Sequence, residues 1–249
     1  MAIQKWIVRV HKWIALIVGL QIVLWIAGGF VMSVMPIEVV RGEHKIANHN
    51  VEPFDVERLL SLNDATKAIG ANAVKSAALG EMLGQPVWRI VRHGGELTIV
   101  DARSGAILSP IPEAVARAIA ERDYNGEAAF QSIAYIESPP TEYNKSGPVW
   151  RIQFNDRDET TIYVDPTTGE VTARRSQTWR LFDLFWKLHV MDYDDGADFN
   201  HPLLITTAGT AIFVAMSGFI LLIIKMRRSL LVWRMTRRNE RAVNKNIIA

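Results

Sequence analysis

The chain has 249 residues, 22% of them charged, with a formal net charge of +2 and no cysteine. The lack of cysteine excludes disulfide staples, thiolate metal sites, iron–sulfur clusters and a thiol nucleophile. Residues 13–37 and 199–224 contain no Lys, Arg, Asp or Glu, and each run is long enough as a helix to cross about 30 Å of hydrocarbon, which excludes a freely soluble cytosolic enzyme.

Residues 1–12 are a basic N-terminus carrying Lys5, Arg9 and Lys12. The first span, 13–37, has the basic leader of a signal peptide, but its apolar run is roughly twice the usual length. Met32-Ser33-Val34-Met35 then passes into Pro36 without a small-residue cleavage site, so an uncleaved anchor is expected. Gln21 is a polar side chain inside this span, and Gly28, Gly29 and Ser33 offer a small surface. Residues 38–198 carry 25 acidic and 17 basic side chains.

Within that acidic middle, two segments overlay. Gln85-Pro-Val-Trp-Arg-Ile90 runs on to Leu97-Thr-Ile-Val-Asp-Ala-Arg-Ser-Gly-Ala-Ile107, and Gly147-Pro-Val-Trp-Arg-Ile152 runs on to Thr161-Ile-Tyr-Val-Asp-Pro-Thr-Thr-Gly-Glu-Val171. A duplicated module of roughly 60 residues is the economical account, with copies at 38–108, including a linker, and 109–176. Helix formers recur at 62–69 and 113–122, the second run placing Val115, Ala118 and Ile119 on one face. Strands are expected at 86–92, 97–101, 130–137, 148–154 and 160–165, with Trp150, Ile152 and Phe154 facing inward and Val149, Arg151 and Gln153 wet. Asp101 to Gly105 and Asp165 to Gly169 read as turns, in which Asp bonds its own backbone and Gly takes positive φ. Trp88 and Trp150 read as matched core tryptophans, with ligand stacking the competing role. The fold class expected is α+β.

Residues 177–198 form an aromatic pre-membrane segment in which Phe182, Phe185, Trp186 and His189 share a helical face suited to lying on a membrane surface. Asp192, Asp194, Asp195 and Asp198 follow; they lack the spacing of a calcium loop and read either as a hydrated approach to the second span or as a cation site. The second span, 199–224, opens at Asn200, a good helix cap, and Pro202, tolerated in a first turn. Thr207, Ala211 and Ala215 recur at four-residue intervals along it, with Gly218 alongside. Such stripes suit packing of the two spans on each other or a larger assembly.

The tail, 225–249, holds eight basic residues and one acidic. Positive flanks stay inside, so both termini are expected in the cytoplasm and residues 38–198 across the membrane, in the periplasm or outside the cell if the membrane is a bacterial inner membrane. Leu230 to Met235 within the tail fits a short amphipathic helix on anionic lipid. The net positive charge lies in the tails and the middle is net acidic, so no nucleic-acid partner is expected.

These motifs together resemble the PepSY proteins with associated transmembrane helices. Asp-Ala-Arg-Ser-Gly-Ala-Ile and Asp-Pro-Thr-Thr-Gly-Glu-Val resemble that family's closing turn. Val10-His11-Lys12-Trp13 with Leu16 and Gly19 is similar to the start of its first helix, and Leu188-His189 with Asn200-His201-Pro202-Leu203 to the entry of its other helix. The resemblance implies protease-inhibitor-like, sensor or accessory roles, and in larger four-helix members a haem-bearing reductase; this chain has only two spans. For the histidines it implies haem b ligation by His11, His189 and His201. His11 also reads as an interfacial residue beside a basic flank, and lies a membrane thickness from His201, so a bis-histidine haem in one chain would need the outer pair, His189 and His201. His44, His49 and His93 read as solvated loop residues.

No His-Glu-x-x-His, nucleotide-binding glycine run or Gly-x-Ser-x-Gly occurs. The expected function is a membrane-anchored accessory protein, non-enzymatic on its own, with a membrane-protein partner or a second copy of itself. The alternative is a b-type haem electron-transfer subunit.

Overall fold

The computed structural model describes residues 2–49, 53–71, 73–194, 196–198 and 200–248. Two compact units emerge, one formed by Met1–Phe30 with Lys187–Ala249 and the other by Val31–Trp186.

The second unit carries both sheets. After helix α1 (Ala2–Val34) come the single turn α2 (Ile37–Val40), helix α3 (Leu62–Ala68) and a first antiparallel sheet, β1 (Val74–Met82), β2 (Gln85–Arg92) and β3 (Leu97–Asp101), in the order β1-β2-β3. Helix α4 (Glu113–Asp123) leads to a second, β4 (Phe130–Ile136), β5 (Val149–Phe154), β6 (Thr161–Val164) and β7 (Val171–Arg175), in the order β4-β5-β6-β7. The mixed architecture is α+β, with a long apolar helix toward each end of the chain. Pro36 stops α1, because proline disfavours helical backbone in the residue before it, and then precedes α2 in extended conformation. Ser61 starts α3, its hydroxyl accepting from the Asp64 N–H at 3.2 Å.

One core serves both sheets. Val87 and Ile99 from the first meet Ile152, Phe154, Ile162 and Val164 from the second, with Ala116, Ala120 and Tyr124 of the α4 end filling between them. The opposite face of the first sheet, Ile90 and Val100, lies under Ala65 and Ile69 with Trp88 against them. Two expectations change. The buried stripe of α4 centres on Ala116 and Ala120, with Val115 and Ile119 flanking it, because alanines let a helix approach a sheet closely. The face of the second sheet expected to be wet is covered at one end, while Ser132, opposite Gln153, stays exposed at the other. Val149 and Tyr163 are fully buried there with Tyr143 and Ala173, because residues 137–145 fold back over them.

Corresponding positions in the two sheets make corresponding bonds. The Trp88 indole N–H donates to the Leu60 carbonyl at 3.0 Å and that of Trp150 to Ile111 at 3.1 Å. Asp101 Oδ1 accepts from the Arg103 and Ser104 N–H groups, and Asp165 Oδ1 from those of Thr167 and Thr168. Gly105 and Gly169 close these turns at φ +77° and +65°, a region open to glycine at little cost. Both indoles are thus packed and hydrogen-bonded, as core tryptophans are.

In the first unit, α1 and helix α6 (Pro202–Ile248) hold the two apolar stretches, at Lys12–Val34 and Pro202–Arg237. Ala15, Val18, Ile22, Trp25 and Gly29 form the more enclosed stripe of α1, and Leu204, Thr207, Ala211 and Val214 that of α6; the rest of these surfaces is mostly exposed apolar side chain, as a lipid-facing helix requires. The basic tail from Leu230 to Met235 is not a separate amphipathic helix but the uninterrupted continuation of α6, since no Pro or Gly after Gly218 breaks it.

Candidate functional site

Most charged side chains that are enclosed in the second unit are spent on one another. The hub is the loop between β5 and β6. Lys45 Nζ donates to Asp156 Oδ2 at 3.0 Å, to Asp158 Oδ2 at 2.8 Å and to Thr160 Oγ1 at 2.7 Å. Asp156 also accepts from the Thr160 N–H at 2.7 Å and the Tyr124 hydroxyl at 3.1 Å. Asp158 meanwhile receives the N–H and hydroxyl of Thr178, and its carbonyl the Gln177 N–H. It thereby anchors the start of helix α5 (Gln177–Val190), whose first turn Ser176 also caps through the Trp179 N–H. The adjoining cavity, lined by Lys45, Tyr124, Thr160 and Arg174 among others, holds about 10 Å³, room for one water.

A second network lies across β6. The Tyr163 hydroxyl donates to Glu142 Oε1 at 2.6 Å, Arg180 Nε to Glu142 Oε2 at 3.0 Å, and the Arg175 guanidinium covers the Trp179 ring at 4.1 Å. Arg174 holds Asp123, and Arg122 pairs with Glu81.

The electrostatics follow from these bonds. Burial alone would raise Asp156, but hydrogen bonds from Thr160 and Lys45 outweigh it and hold the carboxyl below its ordinary value; burial is likewise outweighed at Asp158 by Lys45 and Thr178. Glu142 is also held low, where burial is overcome by Arg180 and Tyr163. The Tyr163 hydroxyl is pushed well up, by burial and then by its bond to Glu142. A general acid working near neutrality needs a carboxyl raised, not lowered. These groups are arranged to fasten chain segments together.

Sequence reasoning missed this hub. Lys45 and Asp156 are 111 residues apart, and Asp-x-Asp-x-Thr between two strands carries no signal beyond that of a polar turn. What the sheets leave free are edges. β1 and β4 each lie at the end of their sheet with one side lacking a partner strand. Along β1, Lys75, Ser76, Ala78 and Leu79 are exposed.

The His11 side chain lies outside the described residues, as do Asp195 and Phe199. His44, His49 and His93 are exposed, and His49 pairs through Nε2 with the Arg122 carbonyl. His189, near the end of α5, has its ring 6.3 Å from that of Trp25, with Nδ1 buried and without a partner among the described residues. His201, rather than Asn200, caps α6, Nδ1 accepting from the Leu203 N–H at 3.3 Å. A haem iron takes the Nε2 lone pair of an imidazole whose Nδ1–H is held by a partner. His201 Nδ1 is thus engaged at the start of α6, and among the described residues no partner holds His189 Nδ1. In the acidic loop, Asp192 accepts from the Asp194 and Asp198 N–H groups, turning its oxygens to the chain's own backbone. Among the described residues no group of three or more His, Asp or Glu side chains is placed to hold a metal ion.

No curated protein and no solved structure matches the chain. A family model described as the PepSY-associated TM region matches residues 8–247, nearly its whole length. With two apolar helices long enough to cross a bilayer beside a pair of antiparallel sheets, the chain is a membrane protein that belongs to the PepSY-associated TM region family.

Proposed function

We propose that the protein is a membrane-anchored accessory protein, non-enzymatic on its own, which presents a tandem pair of PepSY-like modules on the far side of a bacterial inner membrane to a partner in a membrane complex. The matched indole bonds, Asp turns and positive-φ glycines of the two sheets support the tandem reading. The excess of Lys and Arg in both tails supports cytoplasmic termini. The observation that carries the interaction role is the open edge of β1, nine residues long, in a domain most of whose enclosed charges are committed to internal bonds. An unpaired edge offers a ladder of N–H and C=O groups to an extended segment of another protein.

Extraction of the full chain in mild detergent tests this. A stoichiometric protein partner is expected with the wild type and is expected to be lost from Ala78→Lys, which sets a charge on the exposed edge. Recovery of the chain alone would overturn the role. A reduced-minus-oxidised spectrum of the same preparation is expected to lack stoichiometric haem b bands; their presence would favour the electron-transfer alternative instead.

A further inference from the structure

The face of α1 beside its enclosed stripe repeats with the spacing of a helix seam. Ile14, Ile17, Gln21 and Leu24 fall at intervals of three, four and three residues, and the three apolar members are 42%, 67% and 46% exposed. Ile17, Leu20, Gln21 and Leu24 form one wall of an open groove whose other wall includes Thr206 and Thr210 of α6. Of the three threonines lining the groove, Thr206, Thr207 and Thr210, two have hydroxyls engaged within their own helix, Thr206 with the Pro202 carbonyl at 2.8 Å and Thr210 with that of Thr206 at 2.7 Å. Gln21 makes no hydrogen bond among the described residues. Nine residues separate it from Lys12 and thirteen from Val34, the ends of the apolar stretch. About 13 and 20 Å of helix therefore lie on either side, beyond the reach of its side chain toward the headgroups.

A primary amide left bare among apolar side chains costs free energy, and lipid tails cannot relieve it. An amide is self-complementary: its N–H₂ and C=O pair reciprocally with a second amide across a two-fold axis, where a residue meets its own counterpart. A lone polar residue in a seven-residue apolar seam also sets register and partner number. We propose that a second copy of this chain packs its α1 into the groove, Ile14, Ile17, Gln21 and Leu24 against their equivalents, with the two Gln21 amides hydrogen-bonded to each other. This inference concerns the membrane helices alone and stands apart from what the sheet edges bind.

The cysteine-free background makes the test direct. Single cysteines at Ile17, Gln21 and Leu24, and at Val23 and Ile26 on the other side of the helix, are introduced into the full-length chain, reconstituted in phosphatidylcholine vesicles and oxidised with copper phenanthroline. Disulfide dimers of twice the chain mass are expected at 17, 21 and 24, and little at 23 and 26. Equal cross-linking at all five sites, or none, would overturn the proposal. Energy transfer between labelled chains provides the second readout. Gln21→Leu is expected to weaken self-association by about 3- to 30-fold, with Gln21→Asn largely restoring it and far-ultraviolet circular dichroism unchanged. Association unaffected by Gln21→Leu would count against amide pairing and sink the inference. In native membranes, cross-linking of Gln21→Cys to a protein of different mass in place of the dimer would likewise overturn it in favour of a foreign helix.

Discussion

At the scale of single residues, the enclosed ion pairs act as rivets. Lys45 and Asp156 expose only 18% and 15% of their side chains, so removing one leaves the other desolvated and uncompensated. Asp156→Asn keeps the shape but discards the charge that gathers Lys45, Thr160 and Tyr124. It is expected to destabilise the full-length protein in detergent by about 1–3 kcal/mol, read as a lowered midpoint of thermal unfolding. The pH dependence has a definite sign. Asp156 and Asp158 are held below their ordinary value, so their contribution is present above that value, near pH 4, and is lost as pH falls through the lower folded values. For Lys45, burial is outweighed by its bonds to Asp158 and Asp156 and the ammonium is raised, so its contribution is present below its ordinary value of 10.5 and is lost only as pH rises beyond it. A plateau across neutral pH with a fall on acidification is therefore expected for the wild type. Asp156→Asn should show a shallower acid limb; an acid limb of unchanged steepness would show that the hub contributes no acid sensitivity.

At the scale of elements, the two Asp-x-x-x-Gly turns are alike in bonds and different in surroundings. A methyl group built at Gly105 would lie 3.3 Å from Leu60 Cδ1, whereas one at Gly169 would lie 2.9 Å from Met82 Sδ and 3.4 Å from Ile99 Cδ1, where the second sheet's turn abuts the first sheet. Both glycines have positive φ, so alanine at either costs about 1–2 kcal/mol of backbone strain. Gly169→Ala must also displace core atoms and is expected to be the more destabilising of the two, by a difference visible in denaturant midpoint. Equal effects would mean that the flexible Met82 side chain absorbs the clash. The same contrast explains why β1 escaped sequence reasoning. Val-Lys-Ser-Ala-Ala-Leu-Gly-Glu-Met has little strand propensity and no regular alternation. It becomes a strand because β2 pairs with it from Gln85 to Arg92, with Gly80 leaving room for the Arg89 guanidinium.

For the whole molecule, every functional reading depends on which side of the membrane holds the sheets. Three basic residues before the first span and eight after the second predict cytoplasmic ends, with residues 38–198 across the bilayer. Single cysteines at Ser146, exposed before β5, and at Asn246 would report this with no native thiol to remove. An impermeant maleimide is expected to label Ser146→Cys once the outer barrier is opened, and Asn246→Cys only after the inner membrane is broken. The reverse order would place the sheets in the cytoplasm and rule out the proposed class of partner. Asn144 is a poorer site, since its φ of +53° suits Asn better than Cys.

Features written in short stretches of chain were legible without a structure: the charge-free runs that became α1 and α6, the Asp turns and the paired tryptophans. Each depends on local backbone preference or on the hydropathy of consecutive residues, and needs no knowledge of what lies opposite. The tertiary structure alone decided what met across long separations. It set Lys45 among Asp156, Asp158 and Thr160, placed His189 beside Trp25, and covered Val149 and Tyr163 of the second sheet with Tyr143. An ammonium carries no local signature of its distant carboxylate, and an imidazole reads the same in sequence as a ligand or as a cap. The difference lies in which hydrogen-bond partner the fold brings within about 3 Å.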